Sequence, residues 1–173
     1  MSRLSDVVCR RIDNIRENGL TILIGDAHGA DKAVQAYLAK QEYPNVVIYC
    51  TGGECRNNLG NWQIVSVPYA GKKRSYDYYV AKDIAMADAA QWGLMLWDGE
   101  SKGTFRNIVD LLHQSKKTAV FYSPQKAIIT LSNPTNLLDW LNRIGKASFS
   151  HFSKDISRSV ISMEEQWIWP SSL

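Results

Sequence analysis

The side chains that could do chemistry in this chain gather in two glycine turns. The first is Gly25-Asp26-Ala27-His28-Gly29-Ala30-Asp31. The second is Trp97-Asp98-Gly99-Glu100-Ser101-Lys102-Gly103-Thr104. In the second turn, small residues allow close backbone approach, and hydroxyls and a lysine stand beside the free N–H groups of a following helix. That set suits a phosphate. Gly99, Ser101, Lys102, Gly103 and Thr104 are therefore candidate ligand contacts. The plain structural alternative is a turn in which Ser101 or Thr104 caps the helix. The first turn is acidic. Asp26 and Asp31 would repel a phosphate but could accept hydrogen bonds from ribose hydroxyls or a base. The alternative here is that Asp26 or His28 caps the helix and Asp31 is a charge in its first turn. With Gly25, His28 and Gly29, the two turns read as the sugar side and the phosphate side of one ligand.

Other chemistry is sparser. Arg56 lies in the loop TGGECRNNLGNW, and its planar fork could hold a phosphate or carboxylate. Lys72, Lys73 and Arg74 form a basic run before a helix, the kind of run that is usually a solvated face. Asp83, Asp88 and Asp98 are further acids near the turns, and spacing does not single out a general base among them. His28 has no serine or cysteine close by in sequence, so a nucleophilic triad is unsupported. The three cysteines, Cys9, Cys50 and Cys55, lack the spacing of a disulfide framework, which points to a reducing, cytoplasmic setting. Cys50 and Cys55 also lack the partners of a zinc site, and no metal or cofactor is expected.

Hydrophobic periodicity supplies the elements that carry these turns. Leu4, Val7, Val8, Ile12 and Ile15 mark an opening helix, stopped by the Glu-Asn-Gly at 17–19. The apolar run 20–25 is a strand, and Ala30, Ala33, Val34, Tyr37 and Leu38 form one face of a helix over about 29–40. NVVIYC (45–50) is a buried type of strand, and QIVSVP is a short strand in a loop-rich region. A helix follows over about 75–90. WGLMLW (92–97) is apolar throughout, as in a strand covered on both faces. A helix marked by Phe105, Ile108, Val109 and Leu112, the strand KTAVFY (117–122), and a short helix through Leu137, Leu138, Leu141 and Ile144 complete the body. This alternation predicts an α/β fold, a Rossmann-like three-layer sandwich with a mostly parallel sheet. Residues 1–145 form the domain. Residues 146–173 form an irregular tail whose Trp167 and Trp169 would dock on the body or on a partner subunit.

Composition sets the class. With 45% apolar and 21% charged residues the chain reads as an ordinary soluble domain, and no window approaches the length of a membrane span. A net charge of +3 is too small to argue for nucleic acid.

Three segments in order, ILIGDAHGADKAVQAYLA, KDIAMADAAQWGLMLWDGESKGTFRNI and KKTAVFYSP, resemble the SLOG superfamily. These are Rossmann-like proteins related to the LOG phosphoribohydrolases and to DNA-processing protein A, and the resemblance covers roughly residues 4–144. It implies a nucleotide or nucleotide-derived ligand across the two turns, and commonly a homo-oligomer. In LOG enzymes a Pro-Gly-Gly-x-Gly-Thr-x-x-Glu motif holds phosphate and supplies a catalytic glutamate, assisted by an arginine four residues before a methionine. Here Gly99, Ser101, Gly103 and Thr104 match the phosphate turn. The glutamate position is Asn107, and the arginine position is Lys82, four before Met86. Asparagine cannot act as a general base, so the resemblance favours a sensor or sequestering module. The alternative is a nucleoside monophosphate phosphoribohydrolase in which Asp26 or Asp31, with Lys82, takes over catalysis. A third class, single-stranded nucleic-acid binding, is permitted by the basic run and the tail tryptophans.

Relatives begin with a strand that lies in the middle of the sheet and ends in a Gly-Ser-Arg turn. Here only Ser2-Arg3-Leu4 resembles the run into the first helix. Losing a central strand would leave unpaired backbone groups on both neighbours. A shortened chain, a rearranged sheet, or a tail segment at 157–163 filling the gap would each answer this.

Overall fold

The computed structural model describes residues 4–72 and 75–145 of the chain. Helices and strands alternate as α1 (Asp6–Glu17), β1 (Ile22–Gly25), α2 (Ala30–Lys40), β2 (Val46–Thr51), β3 (Gln63–Val67), α3 (Tyr76–Ala89), β4 (Gly93–Trp97), α4 (Lys102–His113), β5 (Thr118–Tyr122), β6 (Ala127–Leu131) and α5 (Pro134–Ile144). The helix starts follow local chemistry. Ser5, Ser75, Ser101 and Asn133 each stand at an N-cap with the side chain accepting an amide hydrogen bond, and Pro134 opens α5.

The fold is α/β, but among the described residues the expected single sheet is two three-stranded sheets. One is all parallel, in the order β1-β2-β3, with Ile24 opposite Ile48 and Ile48 opposite Ile64. The other has the order β4-β5-β6. Its β4 and β5 are parallel, and β6 returns antiparallel through a tight turn with Lys126 at φ 51°. Strand β6 was not foreseen, because AIITL is a five-residue run that a helix segment could equally use.

Neighbouring residues of β5 show how the layers stack. Val120 packs with Trp97, Phe105, Ile108 and Leu112 under α4, and with Leu137, Trp140 and Leu141 under α5. Phe121 points to the other face and joins Val8 and Ile12 of α1, Leu38 of α2, Ile24 and Ile48. Strand side chains alternate by face, so helices cover both sides of the strands. The cluster on the α1 side draws on both sheets: Ile22 and Ile24 from β1, and Leu94 and Leu96 from β4. Among the described residues, no helix is long and apolar enough to cross a membrane. The tail, and Lys73 and Arg74 of the basic run, lie outside the described residues.

Candidate functional site

Helix directions bring the two turns to one end of the molecule. Arg106, early in α4, donates from Nη1 to the Tyr76 hydroxyl at the start of α3 (3.3 Å), and Gln114 after α4 donates to Asp88 near the end of α3 (2.9 Å). The two helices therefore run parallel. Helix α4 starts just beyond the carboxyl end of β4. Helix α3 starts against the carboxyl end of β2, where the Tyr78 hydroxyl donates to the Thr51 carbonyl. Because β1 parallels β2, the ends of β1 and β4 open on the same side. Such an end, where two sheet halves diverge, is where open α/β proteins bind ligands.

At the first turn, Asp26 is 3% exposed, and its carboxylate is already held. Arg56 donates from Nη2 to Oδ1 (2.7 Å), and both Nε and the backbone N of Arg56 donate to Oδ2 (3.1 Å each). The Arg56 guanidinium also sits 4.9 Å from the Tyr79 ring centre. Burial works to raise the Asp26 pKa, but the hydrogen bonds and charge of Arg56 prevail and hold it below the ordinary carboxylate value. Asn57 donates to the Asp26 carbonyl (2.7 Å) and stands 3.3 Å from His28 Nδ1. Neither Asp26 nor His28 caps α2. Its N-cap is Gly29, at φ 91°, with no side-chain capping bond. Asp26 is thus a structural latch rather than a free acceptor for sugar hydroxyls, and Arg56 is committed to it.

Asp31 behaves differently. It folds back so that Oδ2 accepts from the Ala27 amide (3.1 Å), while Oδ1 takes no protein hydrogen bond among the described residues. Burial raises its pKa, and the nearby Lys82 charge offsets only part of that rise. Lys82, on α3 and 5% exposed, donates to Asp83 (2.6 Å). Gly25 is required where Asp31 and Lys82 converge. A Cβ on Gly25 would press on Asp31 Oδ2 and sit 3.0 Å from Lys82 Nζ. Gly25→Ala should therefore cost about 1–3 kcal/mol by overpacking. Most of that cost should vanish in an Asp31→Ala background, which a double-mutant cycle in urea would read.

The two aspartates also make opposite pH predictions. Asp26, with its lowered pKa, stabilises the fold above the unfolded carboxylate pKa, and that contribution is lost as pH falls through its folded value. Asp31, with its raised pKa, favours the fold only when protonated, and that contribution is lost as pH rises through its folded value. Stability curves should therefore show wild type ahead of Asp26→Asn at neutral pH, with the gap closing in acid. The deficit of wild type against Asp31→Asn should be largest at neutral pH and close as pH falls toward about 4.

At the second turn, the buried Trp97 donates from Nε1 to the Ser101 carbonyl (3.1 Å), which fixes the loop to the core. Gly99 has φ 86° and lies against the Tyr122 ring. Asp98 Oδ1 accepts from the amides of Glu100 (2.9 Å) and Ser101 (2.7 Å). Burial opposes it, but these amide bonds keep the Asp98 pKa lowered. Ser101 Oγ caps α4 by accepting from the Thr104 amide (3.4 Å), and it lies 3.0 Å from Thr104 Oγ1. The expected phosphate turn is therefore narrower than its sequence implied. Asp98 and Ser101 already occupy three amides, which leaves those of Lys102 and Gly103 at the helix start. Gly103 faces open space: apart from its chain neighbours and its own helix backbone, nothing lies within 4 Å of an added Cβ. Asn107 is half-buried, one turn further along α4.

Sequence reading missed Gln35, Asn57 and Tyr79. Gln35 is fully buried. It donates to the Gly25 carbonyl (2.8 Å) and accepts from the Leu59 amide (3.1 Å), which ties the Arg56 loop to the first turn. Its signal was a polar residue beside Val34 and Leu38 on the apolar side of α2. The cysteine reading is also corrected, because Cys50 and Cys55 form a disulfide with Cα atoms 5.3 Å apart, leaving Cys9 free. Gly52 and Gly53, both at positive φ, reverse the chain between them. Among the described residues, no cluster of His, Cys, Asp and Glu could hold a metal ion.

The sequence matches no protein-family model, and neither the curated proteins nor the solved structures provide a match.

Proposed function

We propose that this chain is a Rossmann-like, SLOG-type domain that binds a nucleotide or nucleotide-derived small molecule between its two turns. The observation that carries the reading is the common opening of the β1 and β4 ends, with Asp31 on one lip and the α4 N-terminus on the other. Asp31 Oδ1 is the acceptor left for a ribose hydroxyl. The Lys102 and Gly103 amides, the helix dipole and the Lys102 side chain favour a phosphate. A monophosphate is the best fit, because so few amides remain open.

The same chemistry defines the test. Gly103 has room for a side chain, so Gly103→Val should fold normally while blocking phosphate approach. A nucleoside monophosphate at about 100 times its dissociation constant should stabilise wild type by roughly 2.7 kcal/mol. It should stabilise Gly103→Val far less.

One observation favours the hydrolase as a second reading. A half-buried carboxyl with a raised pKa beside a buried lysine is a fitting general acid, and Asp31 with Lys82 is such a pair. Release of ribose 5-phosphate from a monophosphate, lost in Asp31→Asn, would support it. No release would leave binding alone.

A further inference from the structure

The two sheets meet at a seam that holds no strand among the described residues. Among the described residues β1 pairs only with β2, and β4 pairs only with β5. Yet Ile22 and Ile24 of β1 and Leu94 and Leu96 of β4 enter one cluster beneath Val8 and Ile12 of α1. On the opposite side, α3 and α4 lie parallel and touch through Arg106 and Tyr76. The seam is therefore roofed on both faces and lined by two edges that run the same way. Its strands bear the mark of a missing neighbour. β4 is apolar from Leu94 to Trp97, yet Leu94, Met95 and Leu96 all remain partly exposed, as do Ile22 and Leu23. Among the described residues the two facing edges have no strand partner for their N–H and C=O groups, an arrangement that folded proteins cover or fill.

We propose that residues 157–163 of this same chain, Ser-Arg-Ser-Val-Ile-Ser-Met, enter the seam as a strand between β1 and β4. The middle of the slot takes apolar side chains on both faces, because α1 lies on one side and α3 with α4 on the other. Val160 and Ile161 are adjacent and β-branched, so in a strand they project to opposite faces, and Met163 follows Ile161 on its side. Seven residues are enough to span the four of β1 and the five of β4. The other apolar run of the tail, Trp167-Ile168-Trp169, is too bulky for a covered strand and runs into Pro170, which cannot donate to a ladder. Reach is sufficient. Helix α5 packs with Val120 and Leu131 of β5 and β6, two or three strand spacings from the seam at about 4.8 Å each. The twelve residues 145–156 can span roughly 40 Å when extended. This inference does not depend on the identity of any ligand.

Hydrogen exchange on the full chain, read by mass spectrometry, tests it. Amides of 157–163 should exchange at least 100-fold more slowly than an unstructured segment, at every protein concentration. Ile161→Pro should release them and should also speed exchange in 22–25 and 93–97, while sparing β3 and β6. Ile161→Val should keep the protection. Three outcomes would overturn the proposal: free exchange of 157–163 in wild type, protection that appears only as concentration rises, or an Ile161→Pro effect that leaves β1 and β4 unchanged. The second of these would mean that a second copy supplies the strand.

Discussion

Lys82→Met should be the most damaging single substitution at the site, lowering stability by about 3–5 kcal/mol in urea denaturation. Lys82 is 5% exposed and donates to Asp83, and its charge offsets the raised pKa of Asp31. Methionine keeps most of the volume and removes the charge, so the loss measures two carboxylates left without their cation. Removing those charges together is a different matter. The triple variant Lys82→Met, Asp31→Asn, Asp83→Asn should recover most of the stability, because a buried ionic group replaced as a unit is often close to neutral. Failure of the triple variant to recover would show that Lys82 acts through packing alone.

Asp26→Ala is the second large effect, expected to cost roughly 2–3 kcal/mol. The Asp26 carboxylate accepts three hydrogen bonds from Arg56, one of them from the backbone. Alanine leaves that backbone amide without its partner and frees the loop that Gln35 and Asn57 also tie down. The exposed part of Arg56 returns to water, which limits the loss. Arg56→Lys should reproduce part of the effect. A single ammonium cannot bridge both carboxylate oxygens and also lie flat on Tyr79. Faster hydrogen exchange confined to residues 52–59 and 26–31 would mark the loop as the unit that opens.

The elements were legible because their signals are local. The 3.6-residue spacing and the Glu-Asn-Gly stop placed each described helix within a few residues, and β1 to β5 followed from short apolar runs. What escaped were relations between distant residues. The Asp26–Arg56 latch joins positions thirty apart, and nothing in GDAHGAD declares which carboxylate will find an arginine. The division into two sheets was visible only as a worry about a missing strand, because WGLMLW reads the same whether it has one neighbour or two. The phosphate turn was over-read for a related reason. Asp98 looked like one acid among several, whereas the tight turn at Gly99 aims its carboxylate at amides that sequence reading had reserved for a ligand. The Cys50–Cys55 bridge needed the reversal at Gly52 and Gly53, which a spacing count does not contain.

The most direct test of the central claim is calorimetric titration of adenosine, guanosine, cytidine and uridine monophosphates into wild type and Gly103→Val, with ribose 5-phosphate and inorganic phosphate as shorter probes. Wild type should bind at least one monophosphate saturably and ribose 5-phosphate more weakly, and Gly103→Val should lose at least tenfold in affinity at unchanged melting temperature. No heat of binding for any monophosphate, or equal binding by the two proteins, would contradict it.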